Sequence, residues 1–183
     1  MRISDERYAR DMRRYDLARR MIEHEARTTT ITAWTGLTRY RVQNLFRQDG
    51  LGANTRHRGL SPFQPRFFVR SAEIECESAA LAAIELQMQI IETTGAKWLP
   101  TLAVGERLVA AFEMYCSLVP SPRISLEHAF LLAKELTLGT SLKLNRCTAC
   151  RGLMIVDVFA PFHERCAFCR RSPASPVRSQ LND

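Results

Sequence analysis

Cys147-Thr-Ala-Cys150 and Cys166-Ala-Phe-Cys169 form two Cys-x-x-Cys pairs separated by fifteen residues, and no other feature of the chain narrows its possible folds as much. The spacing is that of a structural zinc site. Two residues between thiols let both sulfurs of a tight turn face inward, and two such turns set four thiolates at the corners of a tetrahedron. A shell made only of thiolates leaves no open position for water or substrate, so the ion would build the fold rather than activate a reactant. Two disulfides, or a redox-active pair, are the competing readings. Redox chemistry usually comes as a single Cys-x-x-Cys near a βαβ pattern, which is not found here. His163, three residues before Cys166, could replace one thiolate, although it reads better as a surface residue or as a neighbour of a ligand.

Between the pairs, Gly152-Leu-Met-Ile-Val-Asp-Val-Phe159 is rich in residues that suit a short strand, and Pro161 ends it, which fits the hairpin of a zinc ribbon. A module of this size buries too little to fold alone, so its stability would come largely from the metal. Cys76 and Cys116 lie in apolar helical stretches with no thiol nearby in sequence and read as small buried hydrophobes.

A chain of 183 residues with 46% hydrophobic content can bury a sizeable core, as one domain or two small ones. Met1-Arg-Ile-Ser-Asp-Glu-Arg7 is charged with no apolar run after it, and no uninterrupted apolar stretch of about 18 residues occurs, so secretion and membrane spanning are disfavoured. Reduced thiols for a metal make the cytoplasm the expected compartment. Net charge is +7, unevenly spread: residues 1–70 carry +8, residues 71–142 carry −5 and residues 143–183 carry +4. Two basic ends can reach a polyanion while an acidic middle is repelled, which points to nucleic acid at the ends and a protein partner at the centre. Lysine is scarce beside arginine, and codon bias alone would produce that excess, but not the segregation by sign.

Tyr8, Met12, Tyr15, Ala18, Ile22 and Ala26 recur at spacings of three and four, predicting a helix over 5–27 with one apolar stripe and Arg10, Arg13, Arg14, Arg19 and Arg20 on its other faces. Thr28 to Arg47 then reads as a short helix, a turn at Gly36 and a second helix capped by Thr38. Ile31, Leu37, Val42, Leu45 and Phe46 would form the shared core of a helix-turn-helix. Tyr40, Gln43, Asn44 and Arg47 fall on the outer side of the second helix, with Arg39 and Arg41 in its first turn. Arg, Asn and Gln there suit base edges and phosphates. An ordinary helical hairpin with a polar face is the alternative, and Thr32 stands where such motifs usually place Ala or Gly. Residues 49–65, rich in Gly and Pro, read as a linker. Helices are expected over 71–94 and 101–119, both apolar around much of their circumference, and over 125–138, with Gly139 ending the last. Three such helices cover one another only partly, so either the first helix closes over them or another chain does. The expected organisation is therefore mostly α: residues 1–60 as a helical region with the helix-turn-helix, 61–142 as an apolar body, and 143–183 as a zinc-ribbon-like module with a short tail.

No Gly-rich phosphate loop, His-Glu-x-x-His or Gly-x-Ser-x-Gly is found, and Glu23, Glu25, His24 and His128 have no evident nucleophile beside them, so an enzyme is not expected. Thr35-Gly-Leu-Thr-Arg-Tyr-Arg-Val-Gln-Asn-Leu-Phe46, then Gly59-Leu-Ser-Pro-Phe63, then Cys147, Cys150, Cys166 and Cys169, together resemble FlhC, a subunit family of the bacterial flagellar master transcription activator. The similarity covers most of the chain and lies in the order and spacing of the three motifs. It implies a mostly helical protein that joins FlhD in a hetero-hexamer, binds one zinc ion through the four cysteines, and activates flagellar promoters on double-stranded DNA, with RNA polymerase as a further partner. The other class of function is a zinc-stabilised protein–protein adaptor without DNA specificity of its own. RNA binding through the ribbon is a weaker third reading, because Phe168 is the only aromatic beside a knuckle.

Overall fold

Periodic apolar residues, capped at their ends, set most of the architecture. The computed structural model describes residues 2–48, 62–91 and 98–171. In order these hold α1 (Arg2–Glu23), α2 (Thr28–Thr35), α3 (Arg39–Gln48), a 3-10 turn (Pro65–Val69), α4 (Ala72–Gln87), α5 (Leu102–Leu118), α6 (Leu126–Leu138), β1 (Leu142–Arg146), β2 (Leu153–Asp157) and α7 (Ala167–Arg171). The mostly α class is as expected, with one small antiparallel hairpin in which Leu144 faces Ile155. Most of the linker expected over 49–65, and the end of the helix expected to reach residue 94, lie outside the described residues. Among the described residues no helix is long and apolar enough to cross a membrane.

Each helix of the middle block starts where a hydroxyl takes a free amide. Ser71 Oγ accepts from Ile74 N at 3.3 Å and Thr101 Oγ1 from Val104 N at 3.3 Å. Ser125 Oγ accepts from His128 N at 3.4 Å, and α6 ends at Gly139, whose φ of 63° suits a residue without Cβ. Thr38 Oγ1 likewise accepts from Arg41 N at the start of α3, and Gly36 turns the chain with φ 68°. Ile31, Leu37, Val42, Leu45 and Phe46 are all buried, as a helix-turn-helix requires. Thr32 is accommodated because its hydroxyl donates to the Thr28 carbonyl at 2.7 Å.

One core runs from α1 to the hairpin, through Leu17, Met21, Trp34, Leu108, Leu132, Leu142 and Ile155. α1 is the cover over the middle block. Arg13 pairs with Glu106 and Arg20 with Glu113, each 93 residues apart, so α1 and α5 run side by side in the same direction in a seven-residue step. Their close approach is permitted at Gly105, where a Cβ would stand 3.1 Å from Leu17 Cδ2 and 3.2 Å from Trp34 Cε3. The stripe on α1 is only half used, however. Ala18, Ile22 and Ala26 are buried and Tyr15 is half-buried, whereas Tyr8 (69% exposed) and Met12 (51%) face solvent. On α4 the Ala83 and Leu86 side is exposed rather than buried, and on α5 so are Met114 and Leu118.

The acidic middle is turned inward to a degree that composition does not disclose. Glu75, Glu77, Glu85, Glu127 and Glu135 are all buried. Four of them tie segments together. Glu75 takes Arg170, and Glu77 accepts from the Tyr115 hydroxyl at 2.5 Å and Arg123 N at 2.9 Å while also pairing with the Arg123 guanidinium. Glu127 accepts from Arg27 N and Thr30, and Glu135 from Thr140. Glu85, fully buried, has neither carboxylate oxygen in a hydrogen bond. Burial alone holds its carboxyl well above the ordinary value, so it stays protonated.

Two outcomes follow from this packing. Gly105→Val should lower the unfolding free energy by about 1–3 kcal/mol, since Leu17 and Trp34 have no room to retreat; chemical denaturation measures it. Glu85→Met should raise stability by about 1–3 kcal/mol by removing a buried group without partners. In the wild type the folded chain keeps a proton that the unfolded chain releases, so stability falls as pH rises above the ordinary carboxyl value of 4.5. Denaturation midpoints taken across that range should slope less in the Met variant.

Candidate metal centre and helix-turn-helix surface

The hairpin exists to deliver two knuckles to one point. Cys147 follows β1 directly, and residues 148–150 turn so that Arg151 N donates to the Cys147 carbonyl at 2.9 Å. Arg151 completes the knuckle in the left-handed region, φ 62°, and Gly152 returns the chain to β2, its N–H donating to Cys150 Sγ at 3.4 Å. A Cβ at residue 152 would stand 3.2 Å from that sulfur. The second knuckle leads into α7, with Arg170 N donating to the Cys166 carbonyl at 3.0 Å. Thr148 joins the two: its N–H and hydroxyl both donate to the Glu164 carbonyl, at 2.9 and 3.2 Å.

The four sulfurs of Cys147, Cys150, Cys166 and Cys169 lie within 4.8 Å of one another, and all are free thiols. Cys150 and Cys166 stand 3.8 Å apart, the edge of about 3.8 Å that a tetrahedron with metal–sulfur bonds of about 2.3 Å requires. Amides already point at the cluster. Those of Cys150, Cys166 and Ala149 bring Cys147 down to about 6, so it is a ready thiolate; the Cys166 N–H lies 3.3 Å from its sulfur. Cys169 moves the other way, up to about 12, through its contact with Cys150, its burial and its contact with Cys166. Four negative sulfurs cannot share this space without a counter-charge, and a divalent cation supplies one. The donor set therefore fits a metal that favours tetrahedral thiolate coordination.

His163 is exposed and outside the group of four. His24 is held by Glu113 at 3.4 Å, and His128 by Ser125 Oγ at 2.7 Å and a stack on Phe67. Cys76 departs from expectation. It is exposed on α4 and lines, with Ala79, Cys150, Cys166 and Phe168, a cleft of about 310 Å³ between α4 and the knuckles, because the module leans on α4 without filling the space between. Cys116 is half-buried.

On α3, Arg39, Tyr40 (70% exposed), Arg41 and Arg47 are on the surface. Gln43 and Asn44 are half-buried rather than fully outward. Among the described residues Arg39, Arg41 and Arg47 have no ion-pair partner, whereas Arg13, Arg20, Arg123, Arg170 and Arg171 are each paired with a glutamate. Sequence reasoning missed Arg170 and Arg171, which follow Cys169 and bind Glu75 and Glu73. The signal available was the alternation Glu73-x-Glu75-x-Glu77, acidic residues placed on more than one side of an otherwise apolar helix. No protein-family model and no curated protein matches the chain.

Freshly isolated chain should carry one metal equivalent by elemental assay. Chelation at neutral pH should abolish amide protection in β1 and β2, and acid should release the ion as thiolates protonate, because metal binding and folding of such a module are one event, worth on the order of 10 kcal/mol in small thiolate peptides. Less than half an equivalent, or a hairpin unchanged by chelation, would contradict the assignment.

Proposed function

We propose that the chain is a DNA-binding subunit of a transcription activator, of the kind that FlhC represents, with zinc in the thiolate centre. In this reading it works in the cytoplasm in a hetero-hexamer with FlhD, on double-stranded promoters of flagellar genes, where the complex meets RNA polymerase. The observation that carries it is the contrast among arginines. Arg13, Arg20, Arg123, Arg170 and Arg171 are each paired with a glutamate, whereas Arg39, Arg41 and Arg47 at the helix that follows the turn are exposed beside Tyr40 without an ion-pair partner among the described residues, as are Arg7, Arg10 and Arg19 on α1. Unpaired surface guanidinium groups release counterions when they meet phosphates, which gives affinity, while Gln43 and Asn44, half-buried on the same helix, can add preference among base edges. Zinc suits four thiolates in a tetrahedral shell, and a closed shell is structural, so no catalytic role is assigned to it. The partner would cover apolar surface that the chain leaves open, including Tyr8 and Met12 on α1.

That same open surface favours the second reading, an adaptor whose partner binding needs no DNA; Met114 and Leu118 add to it on α5. The two part on one measurement. In the assembled complex, Arg39→Ala with Arg47→Ala should weaken promoter binding about tenfold or more and reduce the slope of log affinity against log salt by about 2, roughly 1 for each phosphate no longer neutralised. Complex formation and metal content should be unchanged. Unaltered promoter affinity, or a complex with no preference for promoter over random duplex, would leave the adaptor.

A further inference from the structure

α7 spans only Ala167–Arg171, too short to hold a helical shape in water by itself. What fixes it is Cys166 at its start and Cys169 within it, both members of the thiolate cluster. Its last two residues reach out of the module to the helical body. Arg170 Nη2 lies 2.6 Å from Glu75 Oε2 while its Nη1 donates to the Arg165 carbonyl at 2.9 Å, and Arg171 pairs with Glu73. Both acids sit in the first turn of α4. The Glu75 side chain is 9% exposed in this arrangement, so removing Arg170 would leave a nearly buried carboxylate without its partner. One turn further, Glu77 is held from the opposite side by Tyr115 and Arg123, which anchors α4 to α5 and to the segment before α6.

We propose that metal occupancy at the four-cysteine centre is transmitted to the helical body through Arg170 and Arg171, making the module a metal-controlled latch on the first turn of α4. The inference rests on the reading of Cys147, Cys150, Cys166 and Cys169 as metal ligands. With the ion gone, α7 loses the hold of the two ligands that fix its turn, Arg170 leaves Glu75, and a nearly buried carboxylate must regain water by loosening the turn that carries it. The Glu77 anchor stops that loosening from travelling further along α4. Coupling of this kind is reciprocal: whatever the ion contributes to α4, the pairs with α4 contribute to holding the ion.

The test uses the full chain in three forms: wild type, Arg170→Ala with Arg171→Ala, and a charge swap in which Glu73 and Glu75 become Arg while Arg170 and Arg171 become Glu. Zinc affinity is read by competition with a chromophoric chelator, and amide exchange is followed along α4 with and without the ion. The alanine pair should bind zinc about 10–100-fold more weakly, the range seen when groups that support metal ligands are removed. The swap should recover most of that loss. In the wild type, chelation should speed exchange in residues 74–78 at least about tenfold and leave 81–87 alone, whereas in the alanine pair those first amides should exchange fast whether or not the ion is present. Wild type that binds zinc one to one but shows no change in α4 on its removal overturns the latch alone, as does an alanine pair with wild-type affinity. Wild type that binds no metal overturns the centre and the latch together.

Discussion

Arginine–glutamate pairing draws both ends of this chain onto its middle, and the arrangement of the rest follows from it. Arg13 and Arg20 of α1 meet Glu106 and Glu113 of α5; Arg170 and Arg171 of α7 meet Glu75 and Glu73 of α4. Pairs at the surface stabilise little, on the order of 0–1 kcal/mol each, so their weight lies in register and direction rather than in energy. The buried members differ. Glu75 and Glu77 are committed to partners whose loss would strand a charge inside, and that makes the positions of α7 and Arg123 nearly obligatory.

This pairing changes the meaning of the charge distribution. A basic start, an acidic middle and a basic end look from composition like a polyanion-binding pattern with a repelled centre. Much of it is instead an internal match: every acidic residue described between 71 and 142 is buried or paired with an arginine. What remains for an outside anion among the described residues is narrower: the unpaired arginines of α3, with Arg7, Arg10 and Arg19 on α1 and Arg151 and Arg165 in the cysteine module. The nucleic-acid reading therefore stands on where these unpaired groups lie, not on net charge.

The sequence was most legible where the determining interactions are short in range. The cysteine spacing named its four residues because a knuckle is decided within four positions, and the helix-turn-helix was readable because Gly36, Thr38 and the apolar set from Ile31 to Phe46 lie within one short stretch. The cap at Thr38 was readable for the same reason. Features decided by contacts distant in sequence were not: the arginine–glutamate pairs, the exposure of Cys76 beside a module from much later in the chain, and the exposure of Tyr8 and Met12 on the α1 stripe. Gln43 and Asn44 show a finer limit, since spacing assigns a residue to a helical face without showing what else stands against it.

The same-direction alignment of α1 with α5 has a bearing on biosynthesis. A nascent chain emerges from the ribosome with Leu17, Met21 and Trp34 long before residues 105–113 exist to receive them, so the first three helices must wait with an apolar side open. Their early helical turns can form locally, but docking is postponed until α5 has been translated. Such a fold gains from anything that shields these helices during that interval.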